Sequence, residues 1–226
     1  MRTFSKSAIM LAFLLALSLS ALAQKTFQGQ IKYTITYEGM ELDESTKSFL
    51  PGEMTFFLKE NKSRSELKTG MGDQVTIFNG DSKTSINLMN IMDRKIAIKK
   101  TTEEIKLERK RYHDLKVVYS NETKEIAGHL CNKAVIEVNA ADFNGASSFT
   151  VFYTDELGNP GINYSDALFN QIKGVMLEYE IIARGLLMRF SASEINKETI
   201  SDDLFTVPSD YKEMTRDELK RLFGSN

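Results

Sequence analysis

Residues 26–38 alternate between apolar and polar side chains without interruption. Phe27, Ile31, Tyr33, Ile35 and Tyr37 take odd positions, with Gly29 among them, and Thr26, Gln28, Gln30, Lys32, Thr34, Thr36 and Glu38 take even ones. Successive side chains of a strand point to opposite faces, so period two over this length predicts one long strand with a buried face and a wet one. Such a strand needs sheet partners on its edges and apolar cover on one face, which constrains everything that follows it.

The rest of the chain supplies those partners. Asp43, Glu44 and Ser45 read as a linker ending at Pro51-Gly52. Met54, Phe56 and Leu58 alternate next, and Arg64, Glu66 and Lys68 continue that strand or form its hairpin partner. Val75 and Ile77 lead into Asn79-Gly80, a hairpin turn signal, with Ile86 and Leu88 on the return strand and Ile96 and Ile98 on another. Residues 101–112 carry two signals. Thr101 and Glu104 fit a capping box, whereas Ile105 and Leu107 alternate, and we read the stretch as a charged connection ending in a short strand. Leu115, Val117 and Tyr119 resume the alternation; 121–124 and Gly128 read as turns, and 131–138 as a strand. Phe149, Val151 and Tyr153 mark the next strand, and a loop with Gly158, Pro160 and Gly161 follows. Ser165 is placed to cap a short helix through Leu168 and Ile172, ended by Gly174. Two strands then carry Val175, Leu177, Tyr179 and Ile181, and Leu186, Met188 and Phe190. Pro208 closes the strand region, and Thr215 with Glu218 opens a terminal helix striped by Leu219, Leu222 and Phe223.

Ahead of this lies a different segment. Arg2 and Lys6 form a basic head, 8–17 is an unbroken apolar run, and Ala21-Leu22-Ala23 fits an A-x-A cleavage site. This predicts a signal peptide over 1–23 and one β-rich domain over 24–226, with no later stretch apolar enough to span a bilayer. About 200 residues suit one sandwich or barrel. The single cysteine, Cys131, argues against a disulfide-stapled framework. With 29 Lys+Arg against 31 Asp+Glu, and two of the cations in the leader, the mature chain is acidic, which argues against a general nucleic-acid binder.

Sites of chemistry are sparse. His113 and His129 are the only histidines, and there is no G-x-S-x-G, H-E-x-x-H, glycine-rich phosphate loop or C-x-x-C. His129 and Cys131, two apart on a strand, point to one face, but a closed zinc site takes four ligands; the plain reading is an inert buried thiol beside a partly exposed imidazole. Arg64 and Glu66 share a strand face and read as a surface ion pair rather than a head-group clamp. Lys106, Arg109, Lys110 and Arg111 form a basic cluster suited to a polybasic membrane contact, but Glu103, Glu104 and Glu108 are interleaved, and mixed signs favour a solvated face. Asp155-Glu156 and Asp202-Asp203 lack the spaced ligand pattern of a calcium loop. No catalytic residue, metal or cofactor is expected.

The whole chain carries 14 Phe, 8 Tyr and 10 Met. Strand faces rich in these build either a closed core or a curved sheet around an apolar cavity, and periodicity does not separate the two. Several stretches bear on this: Phe27-Gln-Gly-Gln-Ile-Lys-Tyr33, Met54 onward through Lys62-Ser-Arg-Ser-Glu66, Ile126-Ala-Gly-His-Leu-Cys-Asn-Lys-Ala134, Gly174-Val-Met-Leu-Glu-Tyr179 and Phe205-Thr-Val-Pro-Ser-Asp-Tyr-Lys-Glu-Met214. In that order they resemble a DUF4412-like family of exported Bacteroidetes proteins related to the GLPGLI group. Lys173-Gly-Val-Met-Leu177 stands where that group carries its namesake Leu-Pro-Gly. The family is similar to the periplasmic lipoprotein carriers and receptors (LolA and LolB), which implies a curved antiparallel half-barrel with helices on its concave side and a cavity for acyl chains.

The expected molecule is therefore a mainly β half-barrel of about ten strands with a few short helices, including one at the C-terminus. Its expected role is non-enzymatic binding of an apolar ligand, a lipid or acylated protein, in the periplasm or outside the cell. Strand phase selects Ile31, Tyr33, Met54, Phe56, Leu58, Leu88, Leu177 and Tyr179 as the cavity-facing set. The rivals are an envelope interaction module with a filled core and, behind it, a hydrolase using unrecognised carboxylates.

Overall fold

The computed structural model describes residues 27–223 except 39–41, 71, 92–93, 144 and 184; the expected signal peptide lies outside the described residues. Two antiparallel meanders make up one open, curved sheet of twelve strands. The first contains β1 (Gly29–Glu38), β2 (Glu53–Lys59), β3 (Lys62–Thr69), β4 (Gly72–Asn79), β5 (Thr84–Ile91) and β6 (Arg94–Lys100). The second contains β7 (Lys116–Ile126), β8 (His129–Glu137), β9 (Ser148–Thr154), β10 (Val175–Ala183) and β11 (Leu186–Lys197). Strand β1 pairs with β11 along its length, through a bulge at Lys32/Tyr33, and that seam joins the meanders. A short β12 (Lys212–Glu213) adds to β6 in parallel, so the strand region runs past Pro208. The alternation predicts the β-rich meander and the family resemblance the half-barrel; the sheet is both, with two strands more than the ten expected.

Turn chemistry explains the hairpins. Ala127 and Gly128 both take positive φ, 49° and 81°, as the tight turn between β7 and β8 requires. Asn79-Gly80 opens the wider loop 80–83, in which the Asn79 side-chain oxygen accepts from the backbone N–H groups of Asp81 and Ser82 at 3.0 and 3.1 Å.

Among the described residues three short α-helices decorate the sheet, and two of them correct the sequence reading. The linker after β1 contains α1 (Glu44–Phe49), capped by Asp43, whose carboxylate accepts from Thr46 N–H at 2.6 Å. The charged stretch after β6 is α2 (Thr102–Arg111), not a strand. Its capping box is complete: Thr101 N–H donates to Glu104 at 2.7 Å and Glu104 N–H to the Thr101 hydroxyl at 3.3 Å. Ile105 is buried and Leu107 is 61% exposed, so the Ile-x-Leu spacing reports no common face. Helix α3 (Arg216–Phe223) starts at the Thr215/Glu218 box as expected. Residues 121–124 are not a turn but lie within β7, where an irregularity between Tyr119 and Thr123 absorbs the polar residues. The segment after β9 forms successive turns rather than a Ser165-capped helix; Asp166 is the capping side chain, accepting from Leu168 and Phe169 N–H at 2.8 and 3.0 Å.

The concave face holds two apolar clusters, and the convex face a third. The largest gathers Ile31, Tyr33, Leu58, Phe78, Leu177 and Phe190 with Leu157 and Ile162 of the segment after β9. Beside it Ala134, Ile136 and Val151 are covered by Phe169 and Ile172. On the convex face Val75, Ile77, Leu88 and Ala97 are covered by Phe205, Val207 and Tyr211 of the C-terminal segment.

Candidate binding cleft

Register decides where the concave face is left open. One cross-strand row runs Ile31, Phe56, Ser65, Thr76, Asn87 and Ile98 from β1 to β6, and the next runs Gly29, Leu58, Ser63, Phe78, Ser85 and Lys100. Strand β3 thus puts Ser63 and Ser65 between the bulky Phe56 and Leu58 of β2 and the Phe78 of β4. A serine fills far less volume than its neighbours, and the difference is a cleft of about 150 Å³. Tyr33, Met54, Phe56 and Tyr179 form its apolar wall; Ser63, Ser65 and Thr76 form its polar wall; Asn163, Ser165 and Asp166 overhang it.

The aromatic wall is ordered by its own contacts. Tyr33 meets the rings of Phe56 and Tyr179 edge-on at 6.5 and 6.1 Å, and Tyr179 stacks on Phe190 at 4.8 Å with an interplanar angle of 1°. The Tyr33 hydroxyl donates to Met176 C=O at 2.7 Å, and the Tyr179 hydroxyl points at Met54 Sδ at 3.9 Å. Burial pushes both phenols well above the ordinary tyrosine range, so they stay neutral. The overhang is tied by Asn163, whose amide donates to Ile172 and Gly174 C=O, both at 2.8 Å. Gly174 has φ 147°, and a Cβ there would stand 2.5 Å from Thr154 O, so only glycine turns the chain into β10. Asp166 reaches solvent at the cleft mouth, yet protein surrounds it on most sides. Lost hydration holds its carboxyl above the ordinary range, against the Phe169 and Leu168 N–H groups and Lys100, which pull it down.

Of the residues that strand phase selects, Tyr33, Met54, Phe56 and Tyr179 line the cleft. Ile31, Leu58 and Leu177 are fully buried in the adjoining core and reach no open space. Leu88 stands opposite Val75 in the convex row, facing away from the cleft, because period two names a face without naming which one. Ser63, Ser65, Thr76 and Asp166 escape an apolar search. For Ser63 and Ser65 the sequence signal is small side chains at the inward phase of β3, opposite the charged phase Lys62, Arg64 and Glu66.

The other candidates resolve into structure. Cys131 is buried, its thiol pushed up to about 11 mainly by burial, and donates to His129 C=O at 3.6 Å. His129 turns instead to Glu156 at 2.9 Å. Among the described residues no three His, Cys, Asp or Glu side chains converge as a metal site would need. Arg64 and Glu66 do pair, but mostly buried rather than at the surface: Arg64 also donates to Leu204 C=O at 2.9 Å and pins the C-terminal segment. Asp202 pairs with Lys59 and Lys62 at 2.9 and 3.1 Å, which holds its carboxyl below the ordinary range.

No family model matches the chain, and no curated protein matches it. Among solved structures, that of PNGF-II has a TM-score of 0.55 at 17% identity over 88% of this chain and 33% of its own. The chain thus spans about a third of that structure, and the likeness is one of fold. The Mycobacterium tuberculosis lipoprotein LppX has a TM-score of 0.37 at 12% identity, covering 88% of this chain and all of its own. A β-barrel-like protein of a domain of unknown function from Brucella abortus has a TM-score of 0.38 at 9% identity, covering 77% of this chain and 99% of its own.

Proposed function

We propose that the protein is an exported, non-enzymatic binding protein of the cell envelope that takes the apolar end of a ligand into the cleft under Asn163 and Asp166. The aromatic wall of Tyr33, Phe56 and Tyr179, facing an unfilled space, is the observation that carries this reading. Size narrows it. A cavity of about 150 Å³ accepts a molecule such as benzene, whereas pockets enclosing drug-sized ligands run to roughly 300–1,000 Å³. The cleft therefore takes one ring or a short run of methylenes. A whole acyl chain enters only if the overhanging segment moves. The family resemblance and the leader support the envelope, with the periplasm first. The phenols are held neutral by burial, and the Asp166 carboxylate is engaged by the Leu168 and Phe169 N–H groups rather than by a cleft serine, which supports a carrier or receptor over a hydrolase.

The rival reading, an interaction module with a filled core, is favoured by Ile31, Leu58 and Leu177, which are fully buried. Native mass spectrometry with lipid extraction, on protein purified from an exporting bacterial host, separates the two. A bound mass that is lost in Ser65→Phe, which fills the cleft, is the expected result. A clean apo mass from folded protein that also refuses added fatty acids and phospholipids overturns the carrier reading in favour of the module.

A further inference from the structure

Helix α2 looks charge-balanced in sequence and is not balanced in space. Glu104 is bound to Thr101 in the capping box. Glu108 points away from the basic face and is held by Lys100 at 2.8 Å and by Arg216. Among the described residues Glu103, on the first turn and three residues before Lys106, is the one interleaved acid that stays exposed without a salt bridge. Lys106, Arg109 and Lys110 stand three and four residues apart and so share one helix face. Among the described residues none of the three forms an ion pair.

That face meets the segment after β9 across an open depression of about 410 Å³, walled by Lys106, Arg109 and Lys110 on one side and Tyr164, Asn170 and Gln171 on the other. Arg109 is positioned there, its guanidinium 4.9 Å from the centre of the Tyr164 ring, and Lys83 approaches the same ring at 5.3 Å. Asp114 lies near the rim, exposed and 3.1 Å from His113. Cations in a last helical turn also complement the helix dipole, and this accounts for Arg109, Lys110 and Arg111, but not for Lys106, for Lys83, which is off the helix, or for the seating of Arg109 over the Tyr164 ring.

We infer that this depression is a binding site for a phosphate group, with Arg109 as the forked donor and Lys106 and Lys110 as flanking charges. The site does not rest on occupancy of the cleft, although the two adjoin: Tyr164 stacks on Phe78 of the cleft lining at 6.3 Å. The phosphate has two sources, a free anion or the head group of an amphiphile whose tail enters the cleft.

The test is a titration of the purified protein with inorganic phosphate, followed by backbone amide NMR. Saturable shifts at Tyr164, Asn170 and Gln171 are expected, weakening about tenfold in Lys106→Gln/Lys110→Gln and about tenfold in Arg109→Gln, with Arg109→Lys recovering only part. Lys47→Gln, on α1, is expected to titrate as the parent does. Thermal unfolding of each variant confirms that it folds. Shifts that do not saturate, or that are equal in the parent and the folded charge variants, overturn the inference. A second titration with soluble dihexanoyl phosphatidate then assigns the source. Binding tenfold or more above inorganic phosphate identifies a head group, and equal binding identifies the free anion. A site that binds phosphate in a protein whose cleft stays empty leaves this inference standing and removes the carrier reading.

Discussion

The two halves of the concave face are built alike and finished differently. Over β8–β10 the inward side chains Ala134, Ile136 and Val151 are covered by Phe169 and Ile172, all five at most 2% exposed. Over β2–β4 the inward Ser63, Ser65 and Thr76 have no such plug, and a cleft remains. The same curved sheet supports both outcomes. Curvature therefore does not make the cavity; the side-chain volume of one strand does, together with where the segment after β9 sends its Phe and Ile.

Breaking the filled half has the largest effect. Phe169→Ala is expected to cost about 3–5 kcal/mol, because transfer and cavity terms add where the ring is fully enclosed, and urea unfolding measures it. A loss below about 1 kcal/mol would mean that this half is as loosely filled as the other. Removing the N-cap of α2 by Thr101→Ala is expected to cost about 1 kcal/mol, read in the same way, since one capping-box bond is lost at an exposed helix start. Filling the open half should change stability less: Ser65→Phe is expected to stay within about 1 kcal/mol of the parent while abolishing any bound mass, because the ring enters space that is already empty. A large destabilisation there would reveal a cleft too tight to hold anything.

The smallest effect concerns pH. The Asp166 carboxyl sits above its ordinary range in the folded protein, so the folded state holds that proton more tightly than the unfolded chain does. Its contribution to stability is fully present below the unfolded carboxylate value and is lost as pH rises through the folded one. Asp166→Asn is therefore expected to raise the unfolding midpoint relative to the parent at pH 7 and not at pH 3. An equal difference at both values would show that the cleft mouth is as well hydrated as bulk surface.

Much of this contrast was out of reach of the chain read alone. Alternation locates most of the strands, leaving β3 open between a continuation of β2 and its hairpin partner, and the Thr215/Glu218 spacing locates α3, because both are local patterns with local causes. What alternation could not rank was one buried face against another, and so Leu88 was grouped with Phe56 although they lie on opposite sides of the sheet. Nor could it separate Leu58, enclosed by core, from Phe56, which borders space. That depends on Ser63 and Ser65 one strand away, whose importance comes from what they fail to fill. Polar residues at 121–124 read as a turn, and hairpin pairing of Thr123 and Lys124 with Asn132 and Cys131 overrides that preference.

The seam between β1 and β11 has a consequence in time. Lys32 and Glu194, ion-paired across it at 2.7 Å, are 162 positions apart in the chain. Contacts so distant in sequence form late, since a long loop must close before they return any stabilisation. In a chain that emerges N-terminus first, β1 has β2 to pair with at once, but its other edge waits for nearly the whole molecule. Until Phe190 arrives opposite Ile35, that edge is a row of unpaired amides and carbonyls beside apolar side chains, a template for any other extended strand. The interval before the seam closes is when this protein is most exposed to aggregation, and slower delivery of its last strands lengthens it.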